Sequence, residues 1–120
     1  MNLGWVDVCL GVENAKVSAE FYQQLGFKMV DGNLDENWAV LTYVQFRLGL
    51  YGKEHMRDQG FCLNFRGSDI REMLKFAQKN NMSIAKETKV NEDGSGYFHL
   101  RDPDGFELFF DSVPGETKPE

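Results

Sequence analysis

The sequence predicts an α+β fold made of two βαβββ modules, and three observations support this. Residues 6–27 (VDVCLGVENAKVSAEFYQQLGF) and 61–82 (FCLNFRGSDIREMLKFAQKNNM) share one order: a short alternating strand, a polar break and an amphipathic helix. Each repeat is followed by further strand-like segments. With 42% hydrophobic and 27% charged residues among 120, the composition is typical of one globular domain.

One domain is therefore expected over residues 1–112, with a first module at about residues 3–53 and a second at about residues 60–112. Residues 113–120 are rich in Pro, Gly and charge and have no apolar period, so they are expected to form a flexible C-terminal tail.

In the first module, a strand is predicted over residues 5–10 and a helix from the N-cap Asn14 to Gly26, a natural C-terminal glycine. Strands are then expected near residues 28–30 and over 38–43 and 46–51. The helical residues expected to face the sheet are Ala15, Val17, Phe21, Tyr22 and Leu25.

In the second module, a strand is predicted over residues 61–65 and a helix that begins at Asp69, which forms a capping box with Glu72. Strands follow over residues 84–89, 97–101 and 106–110. The apolar helix positions are Ile70, Met73, Leu74, Phe76 and Ala77.

The segment DPDG, residues 102–105, fixes the register of the last two strands. Pro, Asp and Gly in this order suit a type I turn followed by a left-handed residue, which pairs Asp102 with Phe106. Side chains alternate along a strand, so one face carries Phe98, Leu100, Leu108 and Phe110. On the other face, Arg101 lies opposite Glu107, and His99 lies opposite Phe109.

The helices are expected to cover the apolar faces, which leaves the other faces to line a concave surface. Aromatic rings with a few convergent polar groups are typical of ligand clefts. The predicted cleft residues are Trp5, Asp7, Cys62, Asn64, His99, Arg101, Glu107 and Phe109.

Composition and charge limit the classes of binding partner that are expected. The net charge of −6 and the scattered cations disfavour nucleic acid. No apolar run is long enough to cross a membrane, and the N-terminus does not resemble a signal peptide, so a cytoplasmic protein is expected. Cys9 and Cys62 are expected to be free thiols that fill space in the cleft wall.

The stretches VDVCLGVENAKVSAEFYQQLGF and LRDPDGFELFF resemble the glyoxalase/bleomycin resistance/dioxygenase superfamily, also called vicinal oxygen chelate (VOC) proteins. The resemblance covers about residues 3–112 and implies two modules whose curved mixed sheets enclose a cleft, with helices on the outer faces. Short members of the bleomycin-resistance branch usually form dimers, so a homodimer is expected.

The resemblance also implies where a metal would bind. Metal-dependent members carry ligands at positions that read Asp7, Cys62 and Phe109 here. Phe cannot bind a metal, and a thiol beside one carboxylate is a mismatched set. The expectation is therefore no metal cofactor, and a protein that binds a small organic molecule for sequestration or resistance.

Alternatives remain at this stage. A metal-dependent lyase, dioxygenase or thiol transferase could use an atypical set such as Asp7, His99 and Glu107, and a metal-free enzyme could use His99 or Asp7 as acid or base. Arg101 could anchor an anionic ligand or simply pair with Glu107. A module that keeps the fold for its interface alone is the third possibility.

Overall fold

A computed structural model describes residues 2–57, 59–116 and 118–119. Within this part of the chain there are two α-helices, one short 3-10 helix and nine strands with both parallel and antiparallel pairing, which confirms the α+β class. The chain divides into two units, and each is described by itself. The first unit comprises residues 7–61, and the second combines residues up to Val6 with the chain from Cys62 onward.

The first unit follows the predicted βαβββ order. Its elements are β1 (Trp5–Gly11, which begins in the second unit), α1 (Ala15–Gln24), β2 (Lys28–Asn33), a 3-10 helix (Leu34–Glu36), β3 (Trp38–Tyr43) and β4 (Phe46–Tyr51). The sheet order is β2-β3-β4-β1, in which β1 runs parallel to β4 and the other pairs are antiparallel.

Helix α1 begins and ends as predicted. The side chain of Asn14 accepts a hydrogen bond from the backbone N–H of Val17, and Gly26 follows the helix in a left-handed conformation with φ +104°. The predicted buried face, however, is wrong in three positions. Ala15 and Ala19 are fully buried, whereas Val17, Phe21 and Leu25 are 64%, 56% and 59% exposed.

The physical reason is that α1 has two apolar stripes. Ala15, Ala19 and Tyr22 follow a spacing of i, i+4 and i+7, and Val17, Phe21 and Leu25 follow i, i+4 and i+8, about 200° around the helix from the first stripe. Ala19 belongs to one buried cluster with Leu41, Leu48 and Leu50 of the sheet, and Tyr22 packs against that cluster. Small alanine side chains let the helix approach the sheet closely, which leaves the larger stripe outside.

The second unit contains β5 (Phe61–Arg66, whose first residue belongs to the first unit), α2 (Ile70–Lys79), β6 (Ser83–Ile84), β7 (Lys89–Val90), β8 (Gly96–Arg101) and β9 (Glu107–Ser112). Strand β9 lies between β5, to which it is parallel, and β8, to which it is antiparallel, and both β6 and β7 pair with β8. The prediction of a single strand over residues 84–89 is therefore wrong. Two short strands pair with β8, and the chain between them does not.

Helix α2 begins at the predicted residue, since Asp69 accepts from the backbone N–H groups of Arg71 and Glu72. Ile70, Met73 and Ala77 are buried against the sheet, and Phe76 remains 37% exposed. The sheet side of this core is a stack of three rings. Phe110 lies between Phe65 and Phe98, with both centroid distances 5.0 Å.

The hairpin register predicted from DPDG is confirmed. The backbone N–H of Gly105 donates to Asp102 O, that of Asp102 donates to Phe106 O, and Gly105 has φ +90°. His99 pairs with Phe109 and Arg101 with Glu107 across the ladder, as expected. The face assignment of β8 and β9 therefore follows from four residues of sequence.

The predicted tail begins beyond β9. Glu116 accepts a hydrogen bond from Nη2 of Arg66 at 3.1 Å, so this part of the tail contacts the second unit. Thr117 and Glu120 lie outside the described residues.

Candidate functional site

The candidate site is the face of the second unit's sheet that points away from α2, called the polar face below. Strand pairing places Asn64, Phe109 and His99 side by side on β5, β9 and β8. Because side chains alternate along a strand, residues two positions away share the face. The polar face carries Asn64, Arg66, Tyr97, His99, Arg101, Glu107, Phe109 and Asp111.

The centre of the polar face is a histidine–carboxylate pair against aromatic rings. Nδ1 of His99 lies 3.1 Å from Oε1 of Glu107, and the two side chains are 27% and 33% exposed. The His99 ring lies 4.5 Å from the Phe109 ring, centroid to centroid, and the Tyr97 ring lies 6.1 Å from it. A polar pair and stacking surface are thus both accessible at one place.

Glu107 does not form the ion pair with Arg101 that its cross-strand position suggested. It accepts from His99, its diagonal neighbour, while Nη1 of Arg101 donates a long hydrogen bond of 3.4 Å to Gly105 O. Diagonal neighbours are within reach of long side chains, and the compact imidazole is positioned by its contact with Phe109. The exposed guanidinium of Arg101 remains at the edge of the polar face.

A buried polar network lies beside this pair. Nδ2 of Asn64 donates to Oδ1 of Asp111 at 2.8 Å and to Phe109 O at 3.1 Å, and Nε of Arg66 lies 3.7 Å from the same carboxylate oxygen. Asn64 and Arg66 are 4% and 8% exposed. Asn64 therefore links β5 to β9. By donating to Phe109 O, its amide holds the backbone that carries the Phe109 ring.

Trp5 and Cys62, two further predicted residues, also belong to the second unit. The Trp5 ring packs on Gly67, where an added Cβ would come within 2.4 Å of Cζ3 of the indole. Cys62 is buried, at 7% exposure. Both side chains contribute to packing more than to accessible surface.

Asp7, the remaining predicted residue, lies in the first unit as one half of a buried ion pair. Nε of Arg47 donates to Oδ1 of Asp7 at 2.6 Å, and the side chains are 7% and 0% exposed. Arg47 was not among the residues predicted from the sequence. The only available signal was that a buried carboxylate needs a cation or several donors nearby, and strand parity alone does not say which cation supplies them.

Other residues of the polar face were missed for a simpler reason. Tyr97 is two residues before His99, and Asp111 is two residues after Phe109, so continuing the same alternation along β8 and β9 would have included both. Tyr97 adds a second ring to the accessible surface. Asp111 adds the carboxylate that fixes Asn64 and Arg66.

The residues at the family's metal positions do not fit a metal ion. The carboxylate of Asp7 is fully buried against a guanidinium, Cys62 is buried, and the ring of Phe109 packs on His99. Elsewhere, across residues 2–57, 59–116 and 118–119, no group of three or more His, Cys, Asp or Glu side chains is arranged to hold one. A metal ion needs several accessible donor atoms, and these three positions offer only a carboxylate paired with Arg47, a buried thiol and a phenyl ring.

A groove lies on the opposite face of the same sheet, between α2 and the strands, and has a volume of about 820 Å³. Its floor is formed by Phe65, Leu108 and Phe110, and its wall by Phe76. The lining is mostly apolar, and Asn80 and other polar residues lie at its rim. The groove was not predicted from the sequence, because α2 was expected to cover the whole apolar face.

The family model for the Glyoxalase/Bleomycin resistance protein/Dioxygenase superfamily matches residues 3–110. With this match over nine-tenths of the sequence, together with the two βαβββ-like units, the chain belongs to that superfamily. Among curated proteins, no sequence matches the chain significantly.

Several solved structures share the fold. A superfamily member from Vibrio splendidus 12B01 is 23% identical, with a TM-score of 0.64, over 91% of this chain and 98% of the other. A structure described as an NAD-dependent benzaldehyde dehydrogenase from Legionella pneumophila is 21% identical, with a TM-score of 0.74, over 91% and 99%. A methylmalonyl-CoA epimerase is 12% identical, with a TM-score of 0.63, over 95% and 99%. At these identities the likeness establishes the fold alone. The activities named for these proteins differ from one another and are not assigned to this chain.

No helix within residues 2–57, 59–116 and 118–119 has the length and hydropathy needed to span a membrane.

Proposed function

We propose that this superfamily member binds a small organic molecule on the polar face and does so without a metal ion. The observation that carries the proposal is the partly exposed His99–Glu107 pair packed against Phe109. Aromatic surface beside a small number of oriented polar groups is the composition of small-molecule sites. Sequestration of the bound molecule, as in resistance proteins, is the activity that such a site performs without further chemistry.

The hydrogen bond to Glu107 determines which nitrogen of His99 is a donor and which is an acceptor. A carboxylate can only accept, so Nδ1 of His99 carries the shared proton. In the neutral ring Nε2 is then an acceptor, which selects a ligand with an O–H or N–H group. Phe109 and Tyr97 offer ring faces for a planar body, and Arg101 at the edge suits an anionic substituent.

The absence of a metal requirement is supported by the chemistry of the three family positions. A carboxylate already neutralised by Arg47 would have to break a buried ion pair before it could bind a cation. Phe109 contributes a ring where metal-dependent relatives need a donor atom, and this ring now packs on His99. Phe109 thus stands where metal-dependent relatives have a ligand, and it offers a ring on which a bound molecule can stack.

The proposal includes a cytoplasmic location. The chain has two cysteines, both buried, which is fewer than the disulfide frameworks of small secreted domains contain and suits a reducing compartment.

A metal-free enzyme is the second candidate, and the same pair favours it. A histidine oriented by a carboxylate is the arrangement of a general base and its positioning group. Asp7 is not suited to proton transfer, since it is fully buried and paired with Arg47. In this version His99 is the base and Glu107 orients it, and a metal-dependent lyase, dioxygenase or thiol transferase is disfavoured by the donor set.

The binding proposal is tested by titration calorimetry with planar aromatic compounds that carry a hydroxyl group, each compared with its O-methylated counterpart. The hydroxylated compounds should bind more tightly, with a negative heat-capacity change from apolar burial. The Phe109→Ser variant should weaken this binding at least tenfold. If the protein is an enzyme, mass spectrometry of the same mixtures should show conversion of the compound. Conversion that disappears in the His99→Gln variant would identify His99 as the base.

Phe76→Ser is the matched control, because Phe76 lines the groove on the opposite face and is of the same residue type. It should leave the affinity unchanged. Binding lost in Phe76→Ser and retained in Phe109→Ser would place the ligand in the groove and refute the polar-face proposal. Equal affinity for the hydroxylated and methylated compounds would refute the acceptor assigned to His99.

A further inference from the structure

A pocket with a volume of about 360 Å³ lies in the second unit where α2 begins. It forms because the β7–β8 turn packs on the start of the helix, where the backbone N–H of Ile70 donates to Gly94 O at 2.9 Å. We call it the oxygen pocket, because among the described residues the polar side-chain atoms of its lining are all oxygens. They belong to Ser68, Asp69, Asp93, Ser95 and Ser112.

The β7–β8 turn has the residue spacing of a calcium-binding loop. Such loops carry oxygen-bearing side chains at their first, third and fifth positions and a glycine at the sixth. The segment NEDGSG places Asn91, Asp93 and Ser95 at these positions, followed by Gly96. Gly96 has φ +132°, and an added Cβ would collide with Lys89 O, so glycine is required here. The chain then continues as β8, so further oxygen donors have to come from other elements.

Hydrogen bonds bring the three polar side chains of this turn together. Oγ of Ser95 donates to Oδ1 of Asp93 at 2.6 Å and accepts from Nδ2 of Asn91 at 2.9 Å. The Ser95 hydroxyl, followed by the Ser95 N–H, holds the pKa of Asp93 below its ordinary value, so this carboxyl is ionised at neutral pH. Its second oxygen, Oδ2, makes no hydrogen bond with the described residues, which leaves it available to a ligand.

Ser68 gives an independent indication that the oxygen pocket holds a ligand. It is 4% exposed, lines the pocket, and its hydroxyl makes no hydrogen bond within the described part of the chain. Buried hydroxyls are nearly always paired, because an unpaired one keeps the full cost of leaving water. A ligand that brings a positive charge or a coordinated water into the pocket would satisfy this oxygen.

The start of α2 favours a cation as this ligand. The N–H groups at a helix start normally attract anions. Here the N–H of Ile70 already donates to Gly94 O, and those of Arg71 and Glu72 donate to Oδ1 of Asp69. The pocket therefore presents carboxylates and hydroxyls, and these oxygens are the donors that hard divalent cations prefer.

The two carboxylates of the pocket differ in how far they are already neutralised. Asp69 pairs with Nη2 of Arg71 at 3.3 Å, and the two side chains are 35% and 47% exposed. An exposed ion pair of this kind is weak, so a cation in the pocket can share Asp69 with Arg71. Arg71 acts on Asp93 only through longer-range attraction. Asp93 is therefore the main charged donor.

We infer that the oxygen pocket binds a hard divalent cation, Ca²⁺ or Mg²⁺, through the carboxylates of Asp93 and Asp69 and the hydroxyl of Ser68. The pocket is larger than a bare ion, which leaves room for the coordinated waters that Mg²⁺ in particular retains. With only two carboxylates, the dissociation constant should be about 0.1–1 mM. The bound ion would connect the β7–β8 turn to the start of α2 and so stabilise the second unit.

This site is separate from the polar face. Ser112, its residue on the sheet, shares the α2 face with Phe110 by alternation along β9. The inference therefore does not depend on the ligand proposed for the polar face or on the family's metal positions.

Thermal unfolding in about 10 mM CaCl₂ or MgCl₂, each compared with NaCl of equal ionic strength, tests the inference. The divalent ion should raise the melting temperature of the wild type by about 5–10 °C. The ion that gives the larger rise is the one the pocket prefers. No rise above the NaCl reference with either ion would overturn the inference.

Two variants locate the ion. Asp93→Asn keeps an acceptor for Ser95 but removes the charge, so it should weaken binding at least tenfold and lose about half of the rise or more. Ser68→Ala should unfold no more easily than the wild type in NaCl, because a buried unpaired hydroxyl is removed, yet lose part of the rise. A full rise in either variant would overturn the inference.

Asp104→Asn is the matched control, because Asp104 is an exposed aspartate at the opposite end of the β8–β9 hairpin. It should keep the full rise, and a loss equal to that of Asp93→Asn would overturn the inference. Terbium(III) luminescence gives a direct reading, since the Trp5 ring packs on Gly67 of the pocket and can sensitise a bound ion. The signal should be displaced by CaCl₂ or MgCl₂ and be absent in Asp93→Asn, and a signal retained in that variant would place the ion elsewhere and refute the site.

Discussion

Replacing one member of the buried Asp7–Arg47 pair is expected to destabilise the chain strongly. The side chains are 0% and 7% exposed, so removing one charge leaves the other buried without this counter-charge. Breaking a buried ion pair by removing one partner costs about 3–5 kcal/mol, and we expect this loss for Asp7→Leu and for Arg47→Met. For a domain of this size, the melting temperature should fall by about 12–20 °C.

The double variant Asp7→Leu/Arg47→Met completes the cycle. Apolar residues of similar volume can replace a buried ion pair at little cost, so the double variant should unfold within about 1 kcal/mol of the wild type. Urea unfolding of the four proteins then gives a coupling energy above about 3 kcal/mol. Asp35→Leu, which changes an exposed carboxylate of the same unit, should stay within about 1 kcal/mol of the wild type.

A single variant that unfolds within about 1 kcal/mol of the wild type would refute this reasoning, because it would mean that the pair is accessible to water. The double variant serves a second purpose, since it removes the carboxylate from the family's metal position without leaving a buried charge. If Asp7 is structural, the double variant should keep the ligand affinity measured for the wild type.

Two further predictions concern a helix cap and a turn. The hydrogen bond from the Arg71 side chain is the main reason that the pKa of Asp69 lies below its ordinary value, followed by backbone donation from Glu72 against an opposing desolvation effect. The resulting stability is complete above the unfolded-state pKa of about 4 and is lost as the pH falls through the lowered folded-state pKa. The difference in unfolding free energy between wild type and Asp69→Asn should therefore shrink below about pH 4, and a difference that grew on acidification would contradict the assignment. Gly105→Ala should cost about 1–2 kcal/mol, because φ is +90° while an added Cβ meets no atom within 4 Å. Gly105→Asn should cost less, and equal losses in urea unfolding would show that backbone conformation is not the cause.

Local sequence signals predicted much of the fold. The N-caps Asn14 and Asp69 fixed the starts of both helices, since the side chain that caps a helix is adjacent to it in sequence. The DPDG turn fixed the pairing of His99 with Phe109, and alternation then assigned residues 98–101 and 107–110 of β8 and β9 to their faces. These features depend on backbone geometry over a few residues, which a sequence can specify directly.

The site was predictable as a face and not as a set of contacts. Alternation placed His99, Glu107 and Phe109 together, but the choice of Glu107 to accept from His99 rather than from Arg101 depends on side-chain packing across the strands. The partner of Asp7 is 40 residues away in sequence. No local pattern distinguishes Arg47 from other cations at that separation.

The sequence by itself determined the two repeated modules, the helix starts and the turn that sets the last hairpin, because each is encoded by neighbouring residues. The tertiary structure decided which stripe of α1 is buried, because both stripes have helical spacing and only the close approach allowed by Ala15 and Ala19 separates them. It likewise decided that Asp7 is an internal ion-pair partner, since burial and long-range pairing arise only when distant strands come together.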